Sequence, residues 1–211
     1  MKILIADDHD IVRRGLKQLL TARGWNVCAE AKNGREAILF SEQFKPDVVI
    51  LDVTMPGLNG LDAAKKIKKF LPRAEFVILT VHSSDQLVRD IIGAGARAYV
   101  IKSDAERDLV NAVEAAGNHR TYFTGQAAEL VLAEYQNGYQ TPVAQRNRLT
   151  ARERETVQLL AEGKTSKEVG AALGISPKTA ETHRANIMRK LEVHSITEVM
   201  RYAMKNHIIE P

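Results

Sequence analysis

Cysteine is almost missing from this chain: Cys28 stands alone among 211 residues. One thiol cannot close an internal disulfide, which excludes a secreted disulfide scaffold and points to a reducing compartment. No apolar run approaches the ~18 residues that a membrane span requires. The opening MKILIADDHD is not a secretory signal, because its apolar stretch stops at Ala6 and meets two carboxylates. Internal repeats and low-complexity stretches are lacking. The six histidines (9, 82, 119, 183, 194 and 207) are scattered without metal-ligand spacing. Asp is absent from residues 138–211. The expectation is a soluble, cytoplasmic protein with no membrane partner.

What is present divides the chain. A composition of 45% hydrophobic and 27% charged residues excludes a disordered tail or a fibrous repeat. At ~150 residues per domain, the length suits one large domain or two small ones. Residues 1–137 hold 18 basic and 18 acidic side chains, whereas 138–211 hold 12 and 8, so the whole net charge of +4 lies in the last third. A neutral front and a basic back suggest two modules, the second facing a polyanion.

The front alternates short apolar runs with helix-period segments. Strands are predicted at Lys2–Ala6, Trp25–Ala31, Asp47–Leu51, Glu75–Thr80 and Ala98–Ile101, apolar enough to be buried on both faces. Helices are predicted at about 9–22, 34–43, 60–70, 84–93 and 104–116. In the third, Leu61, Ala64, Ile67 and Leu71 share a face opposite Lys65, Lys66, Lys68 and Lys69. This alternation predicts a five-stranded parallel sheet with helices on both sides, whose functional groups gather beyond the carboxyl ends of the strands. A connector helix over 125–137 and a polar linker over 137–148 follow. The rest reads as purely helical, at about 151–162, 166–173, 177–191 and 195–206.

Asp7 and Asp8 end the first predicted strand, Asp52 the third, Thr80 the fourth and Lys102 the fifth. Taken singly, Asp8 or Asp10 reads as a helix start, Lys102 as a solvated loop residue and Thr80 as a strand-end hydroxyl. Taken together, a parallel sheet brings all of them to one edge. Crowded carboxylates repel unless a cation joins them, and oxygen donors with no His or Cys cluster suit Mg²⁺. Carboxylates, an ammonium and a hydroxyl are equipment for phosphoryl chemistry, with a carboxylate as nucleophile.

The segments ILIADDHDIVRRGL, VVILDVTMPGLNG, VILT and AYVIK make residues 1–117 resemble the flavodoxin-like receiver domain of two-component response regulators. The resemblance implies that Asp52 accepts a phosphoryl group from a sensor histidine kinase. It further implies that Asp8, Asp52 and the Thr54 backbone carbonyl bind Mg²⁺ while Asp7 acts through water. Thr80 and Lys102 would hold phosphoryl oxygens, with Tyr99 as the switch aromatic. The Met55-Pro56-Gly57 and Asn59-Gly60 turn matches, its glycines allowing conformations that other residues resist. Val81 departs from the family's smaller residue, and Ser103 replaces the proline after Lys102. Thr54 and His82 occupy positions that, in the family this chain resembles, tune acyl-phosphate lifetime.

In the tail, SKEVGAALGISPKTAETHRANIMRKL (166–191) reads as helix, Gly-containing turn and helix, a layout that places the second helix in the DNA major groove. Ala180, Ile187 and Leu191 gather inward with His183 flanking; Lys178, Thr182, Ala185 and Arg189 face outward. Lys178, Arg184, Arg189 and Lys190 are candidates for phosphate contact, and Glu181 and Thr182 for base reading. Residues 149–191 resemble the LuxR-type DNA-binding domain of NarL/FixJ response regulators, matching at Leu149-Thr150, Glu153, Lys167-Glu168, Thr179, His183 and Lys190-Leu191 among others. Ala180 stands where Val is usual. The resemblance implies double-stranded DNA as partner and a homodimer made through the helix near 195–206, with Val199, Tyr202 and Ala203 as candidate contacts. The domains are accordingly 1–117, a connector over 118–148, and 149–211.

Two other functions compete. A Mg²⁺-dependent phosphohydrolase with an aspartyl-phosphate intermediate would need a second Asp two residues after the nucleophile, where this chain has Thr54. A receiver whose helical tail binds protein would show no affinity for DNA at low salt. Cys28 and Trp25 read as packing residues, and His9 as part of a loop or first helical turn.

Overall fold

A computed structural model describes residues 1–81, 84–123, 128–129 and 149–209. The linker over 137–148, most of the expected connector helix and His82 lie outside the described residues. The chain divides into two compact units, Met1–Gly138 and Tyr139–Pro211.

The first unit alternates β1 (Lys2–Ala6), α1 (Asp10–Thr21), β2 (Asn26–Ala31), α2 (Gly34–Phe44), β3 (Val48–Asp52), α3 (Gly60–Phe70), β4 (Glu75–Thr80), α4 (Asp85–Gly93), β5 (Ala98–Ile101) and α5 (Ala105–Gly117). A 3₁₀ turn over Lys102–Asp104 joins β5 to α5. The strands are all parallel in the order β2-β1-β3-β4-β5.

Successive strand residues point to opposite faces, and here both faces are apolar. Leu4, Val49, Leu51, Phe76, Ile78 and Tyr99 join a core completed from α2, α3 and α4. Ile3, Ile5, Val48, Ile50, Val77, Leu79 and Val100 join the opposite core, completed from α1 and α5. Two expected strands shift by one residue. Trp25 precedes β2 and packs from outside the strand, and Asp47 precedes β3, its carboxylate accepting from the Lys2 amide at 2.7 Å. Cys28 sits half-buried on edge strand β2, its thiol donating to the Ile3 carbonyl at 3.3 Å.

The second unit has four helices among the described residues: α6 (Ala151–Ala161), α7 (Ser166–Leu173), α8 (Pro177–Leu191) and α9 (Ile196–Lys205). Local sequence fixes their ends. Thr150, Thr165 and Ser195 close capping boxes with Glu153, Glu168 and Glu198, and Ser176 caps α8 with Pro177 in its first turn. Gly174 ends α7 at φ 66, the left-handed conformation that glycine adopts without strain. Val157, Leu160, Val169, Leu173, Ala180 and Ile187 form the core with Val199, Ala203 and Ile208.

Candidate functional site

Parallel strands that rise together deliver their last residues to one edge, and five of the expected residues meet there. Asp7 follows β1, Asp52 ends β3, Thr80 ends β4 and Lys102 follows β5; Asp8 is the outer member. Asp7, Asp52 and Thr80 are buried. The Lys102 ammonium lies 2.8 Å from Asp7 Oδ2 and 2.8 Å from Asp52 Oδ2. Carboxylate oxygens of Asp7, Asp8 and Asp52 and a ring nitrogen of His9 all fall within 4.8 Å of one another.

The charges do not balance. One ammonium faces three carboxylates, and Asp52 Oδ1 is buried without a hydrogen-bond partner. Burial, with Asp7 and Asp8 adding to it against Lys102, pushes the Asp52 carboxyl up to about 7. Burial works to lower the Lys102 ammonium, but Asp52 and Asp7 outweigh it and hold it above the usual lysine range. A hard divalent cation would supply the missing charge and use the unbonded oxygen, so the donor set fits Mg²⁺.

Neither Asp8 nor Asp10 caps α1: the N-cap is His9, with no side-chain cap bond. His9 instead leans into the pocket, its Nδ1 2.9 Å from Asp8 Oδ1 and 3.2 Å from Asp7 Oδ1. Arg13 is a residue that sequence reasoning missed. Its buried guanidinium donates to the Asp7 main-chain carbonyl at 2.7 Å and pairs with Asp10. The spacing of Asp10 and Arg13 along one helix was the available signal.

The turn after β3 holds a second correction. Gly57 has a left-handed φ of 74, as expected of a turn glycine, but Gly60 is needed for space. A Cβ there would lie 2.0 Å from the Asp52 carbonyl oxygen. The α3 start, whose amide donates to Val53 at 2.9 Å, therefore sits directly on the chain carrying Asp52. Thr54 is half-buried in this turn, Tyr99 is buried, and Val81 is exposed just past β4.

In the second unit, Lys178, Thr179, Glu181, Thr182, Ala185 and Arg189 are exposed along α8, and Arg184 is half-buried. The Thr182 hydroxyl bonds back to the Lys178 carbonyl at 3.0 Å, and Arg189 donates to Asn186 at 3.0 Å. Lys190 is engaged within its own domain, 2.8 Å from Glu153 at the start of α6, which competes with the phosphate contact expected of it. Burial works to raise the Glu153 carboxyl, but Lys190 and Thr150 outweigh it and hold it below the usual range.

The expected dimer contacts need correcting. Val199 and Ala203 are fully buried in the core of their own unit, where α9 packs on α6, so neither presents a surface to a second copy. Tyr202 is half-buried.

Residues 3–114 match the family model described as response regulator receiver domain, and residues 147–203 the model for bacterial regulatory proteins, luxR family. Over 210 residues the chain is 34% identical to the transcriptional regulatory protein LiaR of Bacillus subtilis, covering 99% of each. A structure of RcsB from Salmonella enterica serovar Typhimurium, bound to promoter rprA with the phosphomimetic BeF3-, aligns with TM-score 0.63 at 27% identity. That alignment spans 96% of this chain and 97% of RcsB. A structure of two RcsB dimers on two parallel DNAs aligns with TM-score 0.57 at 26% identity, over 98% of each chain. With the pocket and both units in place, the chain belongs to the two-component response regulators of the NarL/FixJ family, transcriptional regulators rather than dedicated enzymes.

Proposed function

We propose that phosphorylation of Asp52 switches DNA binding by the second unit, and that a sensor histidine kinase is the donor. The observation that carries this reading is the Asp52 carboxylate, buried at the strand edge with Oδ1 unbonded and Lys102 2.8 Å from Oδ2. In the transfer, an Asp52 oxygen forms the new bond to phosphorus, the donor's P–N bond breaks, and the departing imidazole takes a proton.

Lys102 and Thr80 would hold the phosphoryl oxygens, and Tyr99 would follow Thr80 as the switch. Asp8, Asp52 and the Thr54 carbonyl would hold Mg²⁺, with Asp7 acting through water; when bound, the ion would neutralise charge on the transferring group. Asp7 and Lys102 orient Asp52 by charge, and Arg13 fixes the Asp7 main chain.

The exposed face of α8 would enter the major groove. Lys178, Arg184 and Arg189 would meet phosphates, Thr179 and Ala185 would line the contact, and Glu181 and Thr182 would read base edges. RcsB structures with promoter DNA and as dimers on DNA support a DNA-bound homodimer. A cytoplasmic location follows from DNA as the partner. Among the described residues no helix is long and apolar enough to cross a membrane.

The test is covalent labelling. With a small phosphodonor and Mg²⁺, one phosphoryl group that alkali and hydroxylamine remove should appear on the peptide containing Asp52, and Asp52→Asn should remain unlabelled. Equal labelling of both proteins contradicts the assignment, and steady turnover of a phosphomonoester would favour a hydrolase instead.

A further inference from the structure

The chain leaving α5 returns to the sheet. Tyr122 forms a parallel bridge with Ala98 on β5, the edge strand. The Tyr122 amide donates to the Arg97 carbonyl at 2.9 Å, and the Tyr99 amide donates to the Tyr122 carbonyl at 3.1 Å. This short segment therefore extends the sheet by one more chain.

Its side chains alternate as a strand requires. Tyr122 packs against the core built with α1 and α5, and its hydroxyl donates to Asp108 on α5 at 3.3 Å. Asp108 is itself held by Arg107 at 2.8 Å. Phe123 packs against the opposite core, the one that contains Tyr99. The switch aromatic is thus bound to the exit segment through its backbone, and shares a packed cluster with the next side chain.

We propose that Tyr122 and Phe123 are positioning residues for Tyr99, so that the exit segment reads the phosphorylation state of the pocket and passes it along the chain. The inference rests on the switch role assigned to Tyr99 above. Packed clusters rearrange between discrete arrangements rather than deforming smoothly, so a displacement of Tyr99 must be met by Phe123 and by the Tyr99–Tyr122 bond. Such coupling is only as strong as the contacts that carry it: a loosened exit segment weakens the response at the far end without removing the phosphoacceptor.

Two measurements test it. In the full-length wild type, amide hydrogen exchange is compared with and without beryllofluoride and Mg²⁺. The exchange rates of Tyr99, Tyr122 and Phe123 should change together. A change at Tyr99 alone overturns the inference, even where DNA binding still responds. An unchanged Tyr99 overturns the switch role and the inference with it.

In Phe123→Ala, Asp52 should be labelled as in wild type, while the gain in DNA affinity on phosphorylation falls by about five- to tenfold. Phe123→Leu, which restores an apolar side chain, should recover most of that gain. A purely structural role would lower labelling and basal DNA binding instead, and full retention of the gain in Phe123→Ala contradicts the proposal. No gain in the wild type itself would overturn the proposed function rather than the packing argument.

Discussion

Lys102 stands 2.8 Å from Asp52 and equally close to Asp7, one ammonium shared by two buried carboxylates. Replacing it with methionine keeps much of the stem and removes the charge. In metal-free protein at pH 7.5, Lys102→Met should cost about 3 kcal/mol, the order expected when one partner of a buried pair is lost. Toward pH 5 the gap should shrink by about 1 kcal/mol, because Asp52 is then protonated in both proteins and only the lost ion pair to Asp7 remains. Urea melts at the two pH values check this; an equal deficit at both contradicts it.

The same imbalance gives metal binding a pH dependence. The Asp52 carboxyl is raised to about 7, above its ordinary carboxylate value. Below pH 7 it carries a proton in the metal-free protein, and Mg²⁺ must displace that proton. Mg²⁺ affinity should therefore fall by about tenfold per pH unit below 7 and level off above it. The corresponding stability contribution has the opposite sense: it favours the metal-free fold in acid and is lost as pH rises through about 7. Calorimetric Mg²⁺ titrations between pH 5.5 and 8 read the slope, and a flat profile refutes it.

Gly60→Ala should be far more damaging than an ordinary glycine-to-alanine change at a helix start. Its Cβ would press on the Asp52 carbonyl at 2.0 Å, against backbone that cannot rotate away. A loss of about 1–3 kcal/mol is expected, together with slowed phosphorylation, because the displaced atoms carry the acceptor. Gly15→Ala, with nothing within 4 Å of the added atom, is the matched control. Equal stability of the two variants would contradict the packing argument.

Much of this was legible in the sequence. Lys2–Ala6, Glu75–Thr80 and Ala98–Ile101 stand out because strands buried on both faces leave few polar residues, and the polar residues that end them mark the pocket edge. The caps at Thr150, Ser176 and Gly174 were legible because they are local chemistry. Gly60 was read as a conformational glycine because a sequence does not show which backbone passes beside it. Arg13 was overlooked because a charged residue on an amphipathic helix reads as solvated. Val199 and Ala203 were named as dimer contacts from the resemblance, which points to a helix but not to which of its faces meets the domain's own core. The Tyr122 bridge involves one residue and leaves no periodicity to detect.

On α8, Lys178 and Thr182 lie one turn apart on the exposed face and should respond differently. Lys178→Ala should weaken binding to all DNA sequences and lower the salt slope by about one, as loss of one phosphate contact requires. Thr182→Val should alter sequence preference with little change on random DNA. Salt titrations on specific and random duplexes separate the two, and equal effects of both substitutions would refute the division of roles.

The central claim is that phosphorus on one buried carboxylate controls the DNA affinity of the other unit. The direct measurement is DNA binding by wild type and Asp52→Asn, each before and after treatment with phosphodonor and Mg²⁺. The account predicts a gain in affinity for treated wild type alone. Identical binding curves for the two proteins under both conditions would contradict it.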